Sequence, residues 1–227
     1  KRVLFDNQLR EPQQAEKFQA AARQYGVAVP SMAMSGFFAQ SFLTRDNYQD
    51  LLKDCFLTMK LFGSKVAFLP LGGSGKDWKQ EGCAAYLQMV SRLRTAGEMA
   101  KQEGITIGIR TGMGAKFDKK LLKKVGSSQI KVYYNFQDAA DHHRDICKEL
   151  RKLGAQRIVQ IHASNTDSVN LQEDPEINLP KIRKTLDKMK WSGWLVVERS
   201  RDVKRVRDVK YNFGRNIAYL KQVFQER

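Results

Sequence analysis

The chain alternates two hydrophobic rhythms. Short runs of β-branched and apolar residues, at 3–5, 27–34, 65–69, 105–109, 130–134, 157–161 and 194–197, have the length and composition of buried strands. Between them, 15–25, 48–62, 84–102, 141–153 and 177–189 place apolar residues three and four apart, the period of a helix with one buried face. A last segment, 201–227, carries Tyr211, Phe213, Ile217, Tyr219, Leu220 and Phe224 at that spacing and predicts a closing amphipathic helix. Gly26, Gly63, Gly104 and Gly154 each follow a helical run and precede a strand, where a left-handed terminal residue is expected.

Strands separated by single helices pair in parallel through right-handed crossovers, so the pattern predicts an α/β protein, either an open doubly wound sheet or a closed barrel. No strand runs into a glycine-rich dinucleotide fingerprint. Gly72-Gly73-Ser74-Gly75 lacks the spacing and the Lys-Ser/Thr ending of a phosphate loop and reads as a flexible loop, which disfavours a nucleotide-binding open sheet. A length of 227 residues suits a single domain, 1–227.

Composition narrows the class without naming a function. With 42% hydrophobic and 28% charged residues the chain has an ordinary globular balance. No apolar run approaches the roughly 20 residues that a bilayer requires, so no membrane span is expected. The sequence starts at Lys1 with no basic-then-apolar signal pattern. Cys55, Cys83 and Cys147 are too few and too scattered for a disulfide framework or a zinc knuckle; as free thiols they point to a reducing compartment, and the expected location is cytoplasmic. A formal charge of +16 raises nucleic acid, anionic membrane and anionic substrate as partners. Its densest groups, Lys119-Lys120, Lys123-Lys124 and 199–215, lie in segments with helical spacing, where long basic side chains ordinarily coat a solvated face.

The strand ends carry more specific information. Leu150-Arg151-Lys152-Leu153-Gly154 leading to Ile158-Val159-Gln160-Ile161-His162 resembles the seventh unit of the xylose isomerase-like TIM barrels, the sugar phosphate isomerase/epimerase superfamily. Trp191-Ser192-Gly193-Trp194-Leu195-Val196-Val197-Glu198 is similar to the eighth strand of that family. Gly104-Ile105-Thr106-Ile107-Gly108-Ile109 and Ile130-Lys131-Val132-Tyr133-Tyr134 are similar to its fifth and sixth. The motifs are short, but their order and spacing extend over nearly the whole chain. The resemblance implies a (β/α)8 barrel in which 3–5 falls on the second strand, so that the first βα unit is missing from this chain.

The resemblance also implies a reaction: isomerisation or epimerisation of a sugar or sugar-like polyol at the C-terminal ends of the strands. The family holds a divalent cation with Glu, Asp, His and Glu, and its two glutamates exchange a proton at a sugar carbon while the metal stabilises the developing enediolate. Carried over by position, His162 is the third ligand and Glu198 the fourth, with Glu198 also the acid/base group. The other two depart, because Arg110 stands where Glu is expected and Asn135 where Asp is expected. The family's set carries three negative charges, whereas Arg110 and Glu198 cancel. A cation (Mn, Mg, Co or Zn) gains far less here, and an arginine facing Glu198 would form an ion pair in its place. A two-base epimerisation is thereby put in doubt, while a one-base isomerisation through an enediol remains compatible.

Several residues have competing readings. Arg110, Asn135, Asn165 and His162 are candidate substrate contacts; Asn165 reads more readily as a loop cap. The expected ligand is a small sugar, and Arg110 would suit an anionic one. Glu198 ends an apolar strand and needs a partner, whether metal, Arg110 or substrate. His142 and His143 read as surface residues, and Trp191 and Trp194 as packing residues. Phe37 and Phe38 are placed to wall a pocket or to meet another subunit of a homo-oligomer. A non-catalytic sugar-binding relative, with Arg110 in place of the metal, is the alternative function. A nuclease like the endonuclease IV-like members of the superfamily is disfavoured, because those sites assemble several metals from many histidines and this chain has 3.

Overall fold

The computed structural model describes residues 7–226. The chain divides into two compact units, one reaching to Thr111 and including Leu121–Lys131, the other formed by Gly112–Lys120 and the residues from Val132 onward. Six of the expected strands appear among the described residues; the expectation for 3–5 lies outside them.

In the first unit α1 (Pro12–Gln24), β1 (Ser31–Ala33), α2 (Tyr48–Phe62), β2 (Val66–Pro70), α3 (Ala84–Gln102) and β3 (Thr106–Arg110) alternate, and the strands pair in parallel, β1 with β2 and β2 with β3. The helices form where the apolar period is strongest. On α2, Leu51, Leu52, Phe56 and Met59 are buried, and on α3 Met89, Val90, Leu93, Ala96 and Ala100. Each fully buried Leu or Met contributes on the order of 1.5–3 kcal/mol. Gly63 ends α2 at φ 67°, its amide closing on the Lys60 carbonyl, and the other three glycines singled out also have positive φ.

Three details depart from the expected boundaries. β1 is shorter than 27–34 because Pro30 has no amide hydrogen for a ladder, and Val27 is exposed. α1 begins three residues early, at Pro12, whose fixed φ suits the first helical turn. Gly72–Ser74 is a packed 3-10 turn rather than a free loop. A Cβ on Gly73 would lie 2.5 Å from the Phe37 carbonyl oxygen and 2.8 Å from that of Gln40.

In the second unit the part of β4 (Ile130–Asn135) from Val132 onward pairs with β5 (Ile158–His162), and β5 with β6 (Leu195–Val196), again in parallel. The helix α4 (Ala115–Val125) precedes β4, and its first amide is taken by the Glu149 carboxylate at 2.7 Å. Of the helix expected at 141–153 only α6 (Ile146–Leu153) forms, and a separate short helix, α5 (Phe136–Ala140), precedes it. His143 stands between them at φ 51°, and Asp145 starts α6 afresh by accepting the Lys148 amide at 2.9 Å. α7 (Leu179–Lys188) and α8 (Val209–Phe224) complete the unit. Trp191 packs as expected, donating from Nε1 to the Ile158 carbonyl at 2.9 Å, with Gly193 against its ring. Trp194 does not pack; it is 54% exposed.

Candidate functional site

Parallel pairing in the second unit sets Asn135 beside His162 and His162 beside Val196. The C-terminal ends of β4 and β5 therefore present an amide and an imidazole side by side. Glu198 follows two residues beyond Val196, and its Oε2 lies 3.5 Å from His162 Nδ1. Asn135 Nδ2 approaches the same nitrogen at 3.4 Å. The exposures differ sharply: the His162 side chain is 7% exposed and that of Glu198 40%, so the carboxylate faces solvent while the imidazole stands behind it. The Tyr133 ring rests on His162, centroids 4.5 Å apart, and fixes the plane of the imidazole.

Asn135 does two things with one side chain. Its Oδ1 accepts the Gln137 amide at 2.8 Å, making it the N-cap of α5, and this leaves Nδ2 to face His162. The orientation is forced, since the reverse would set an NH2 group against the Gln137 N–H.

The segment carrying Glu198 is held from below and beyond. Ser164 Oγ accepts the amides of Glu198 and Arg199, at 3.3 and 3.4 Å. Ser200 is fully buried with φ 63°, and its hydroxyl accepts the Asn165 amide at 2.7 Å. Three buried asparagines serve this turn. Asn170 and Asn216 donate to the Ser200 carbonyl at 3.2 and 2.8 Å, and Asn212 accepts from Asn170 and from the Asp202 amide. One step further Arg201 grips Asp167 through Nε, the terminal nitrogen and its own amide, at 3.1, 2.5 and 3.1 Å. The Arg201 guanidinium holds the Asp167 carboxyl below the usual carboxylate range. A parallel bridge between Ser168 and Asp202 ties the same two loops.

Of the residues singled out from sequence, Asn135, His162 and Glu198 come together here. Asn165 is buried beside them, but its side chain is engaged within its own loop. Nδ2 donates to Asp174 and Glu176 at 3.1 and 2.9 Å, and Oδ1 accepts from the Thr166 amide. Arg110 ends β3 in the first unit, where its carbonyl accepts the Leu71 amide at 3.0 Å. His142 turns back on the Asp138 carbonyl at 2.9 Å, and His143 lines a separate cavity of about 350 Å³ with Arg144 and Lys181. Phe37 lines a cavity of about 510 Å³ in the first unit with Met34, Leu51 and Cys55, whereas Phe38 is largely exposed and meets Phe68. Burial pushes the Cys55 thiol up to about 12, so it is an unreactive thiol at pH 7.

These residues do not fit a divalent cation. The donor set holds one carboxylate and one imidazole nitrogen that an amide nitrogen already faces. Among the described residues no three of His, Cys, Asp and Glu gather as they would around a metal. What the arrangement can do is hold a solvent-facing carboxylate against a buried imidazole.

Parallel strands alternating with helices, with polar chemistry at the strand ends, define the class of α/β proteins whose sites lie at the C-terminal ends of their strands. A profile of the xylose isomerase-like TIM barrel family matches residues 4–223, and the chain belongs to that family. Solved structures agree on the fold. A xylose isomerase domain protein from Planctomyces limnophilus superposes with a TM-score of 0.73 at 14% identity, covering 96% of this chain and 86% of that one. A sugar phosphate isomerase/epimerase from Parabacteroides distasonis gives 0.72 at 14% identity, covering 91% and 75%. An AP endonuclease of family 2 from Brucella melitensis gives 0.69 at 15% identity, covering 87% and 83%. No curated protein matches the sequence. No described helix is long and apolar enough to cross a membrane.

Proposed function

We propose that this protein acts on a small sugar or sugar-like polyol by moving a single proton with Glu198, without a metal ion. The observation that carries the reading is the Glu198–His162 pair, an open carboxylate oxygen 3.5 Å from a buried ring nitrogen. A carboxylate in solvent reach can take a proton from carbon next to a carbonyl. The imidazole behind it limits where the carboxylate can stand. Asn135 is an amide and cannot share the proton work, so one base serves both directions. That suits an aldose–ketose isomerisation, in which the same group removes a proton from one carbon and returns it to the next while the hydroxyl proton passes between the two oxygens by way of water, rather than an epimerisation that needs a base on each face.

The donor set also supports a second reading, a sugar-binding protein without turnover, because the solvent-facing Glu198 carboxylate can accept sugar hydroxyls without taking a proton from carbon. The nuclease reading is weaker: of the 3 histidines, His142 and His143 are engaged elsewhere, as described above.

The test is deuterium exchange. A panel of aldoses, ketoses and their acids or phosphates is incubated with the protein in D2O and followed by NMR. Wash-in at the carbon next to the carbonyl supports the proposal if Glu198→Gln slows it by about 10²–10⁴. Saturable binding with no exchange would leave the binding reading standing and remove the enzymatic one.

A further inference from the structure

We infer that the Asn135 carboxamide is the group that closes this site to divalent metal, and that exchanging it for a carboxylate converts Asn135, His162 and Glu198 into a cation site. The inference is independent of whether Glu198 moves a proton.

The geometry runs from the helix cap inward. Asn135 is 3% exposed and its Oδ1 is committed to the Gln137 amide at 2.8 Å, so the amide cannot flip. Its Nδ2 hydrogens therefore point toward His162 Nδ1, 3.4 Å away. A metal bound through Nδ1 needs that nitrogen's lone pair, and it needs the space in front of it. Here an NH2 group with partial positive charge faces both. The ring cannot turn another nitrogen into the role, because His162 is buried and Tyr133 lies against its face. Glu198 Oε2, 3.5 Å from the same Nδ1, would be the single anionic ligand, too little charge to displace the hydration shell of a dication.

Aspartate differs from asparagine by one group. It caps a helix as well as asparagine, so Oδ1 keeps its bond to the Gln137 amide. The other oxygen then replaces the NH2 group and presents a negative acceptor beside Nδ1. The donor set becomes two carboxylates and one imidazole, the count of a catalytic zinc site with open positions for water or substrate.

The experiment compares the wild type, Asn135→Asp and Asn135→Asp/Glu198→Gln, each stripped with chelator, dialysed against Zn²⁺ or Mn²⁺ and analysed for metal content. Melting curves with and without metal are recorded alongside, with Co²⁺ absorption as a probe of inner-sphere ligation. The expected result is no retained metal in the wild type and about one equivalent in Asn135→Asp. The affinity of that variant should be at least about ten-fold tighter than that of the wild type, with a metal-dependent rise in melting temperature. The double variant loses the gain. Asn135→Ser keeps the cap and removes the amide hydrogens. It is the second variant should aspartate fail to fold, and it is expected to bind Co²⁺ weakly but measurably. The inference is overturned if the wild type holds metal as tightly as Asn135→Asp. It is also overturned if neither variant gains metal over the wild type.

Discussion

Asn216, on α8, donates to the main-chain carbonyl of Ser200 at 2.8 Å while its Oδ1 accepts the Leu171 amide at 2.8 Å, so one side chain fastens two loops of the second unit. Ser200 sits two residues past Glu198, and the fastening therefore bears on where the carboxylate stands. Replacing Asn216 with Ala strands the buried Leu171 N–H and leaves the Ser200 carbonyl with Asn170 as its side-chain donor. The expected loss is about 2–4 kcal/mol in urea unfolding, with Asn216→Asp losing at least as much because it sets a buried carboxylate oxygen against the Ser200 carbonyl.

Glu198 and His162 should separate in a stability measurement. The glutamate is 40% exposed, and Glu198→Gln is expected to stay within about 1 kcal/mol of the wild type. The histidine is buried under Tyr133, and His162→Ala removes a packed ring; a cost of about 2–4 kcal/mol is expected from the same denaturation curves.

The Asp167–Arg201 pair predicts a pH dependence of definite sign. The folded carboxyl is held below its ordinary value of 3.8, so the stabilisation is fully present above that value. It is lost as pH falls from the ordinary value through the lower folded one. The difference in urea midpoint between the wild type and Asp167→Asn should be constant from pH 7 to about 5 and shrink below about 4. A difference that instead grew on acidification would contradict the assignment.

Lys190 adopts φ 53° at an exposed position after α7, a region that costs a residue with a Cβ about 1 kcal/mol. Lys190→Gly is expected to raise stability by up to about 1 kcal/mol, measurable as a shift in thermal midpoint. The same change at Ser200, which is also left-handed, should destabilise, because the hydroxyl that accepts the Asn165 amide goes with it.

Where local rules act alone, the sequence is a good guide. α2 and α3 have the bounds expected of them, because a clear apolar period runs up to a terminal glycine or just short of one. The rules fail where a single side chain overrides the period. Asp145 caps a new helix and His143 turns left-handed, which delays the helix expected at 141–153 to Ile146, and neither interrupts the apolar spacing. Arg110 and Asn135 were visible as departures only against a family pattern, and the forced orientation of the Asn135 amide was visible nowhere in the letters.

The buried asparagines show the other limit. Asn212 and Asn216 fall on one stripe of α8 with Leu220, at four-residue intervals, and all three are buried. Polar residues on an apolar stripe ordinarily suggest a solvated edge. They are inside here because the turn after β6 leaves main-chain groups that only side-chain donors and acceptors can satisfy. Continuity of the stripe through to Leu220 was the signal available.

The cap that Asn135 makes for α5 has a consequence for how this site can change over generations. Aspartate meets the same structural demand, and the two amino acids are one nucleotide apart in the genetic code. The helix start therefore accepts either residue, leaving the chemistry in front of His162 free to vary while the scaffold stays sound. A lineage at this position can drift between a neutral pocket and a charged one with no unfolded intermediate to cross.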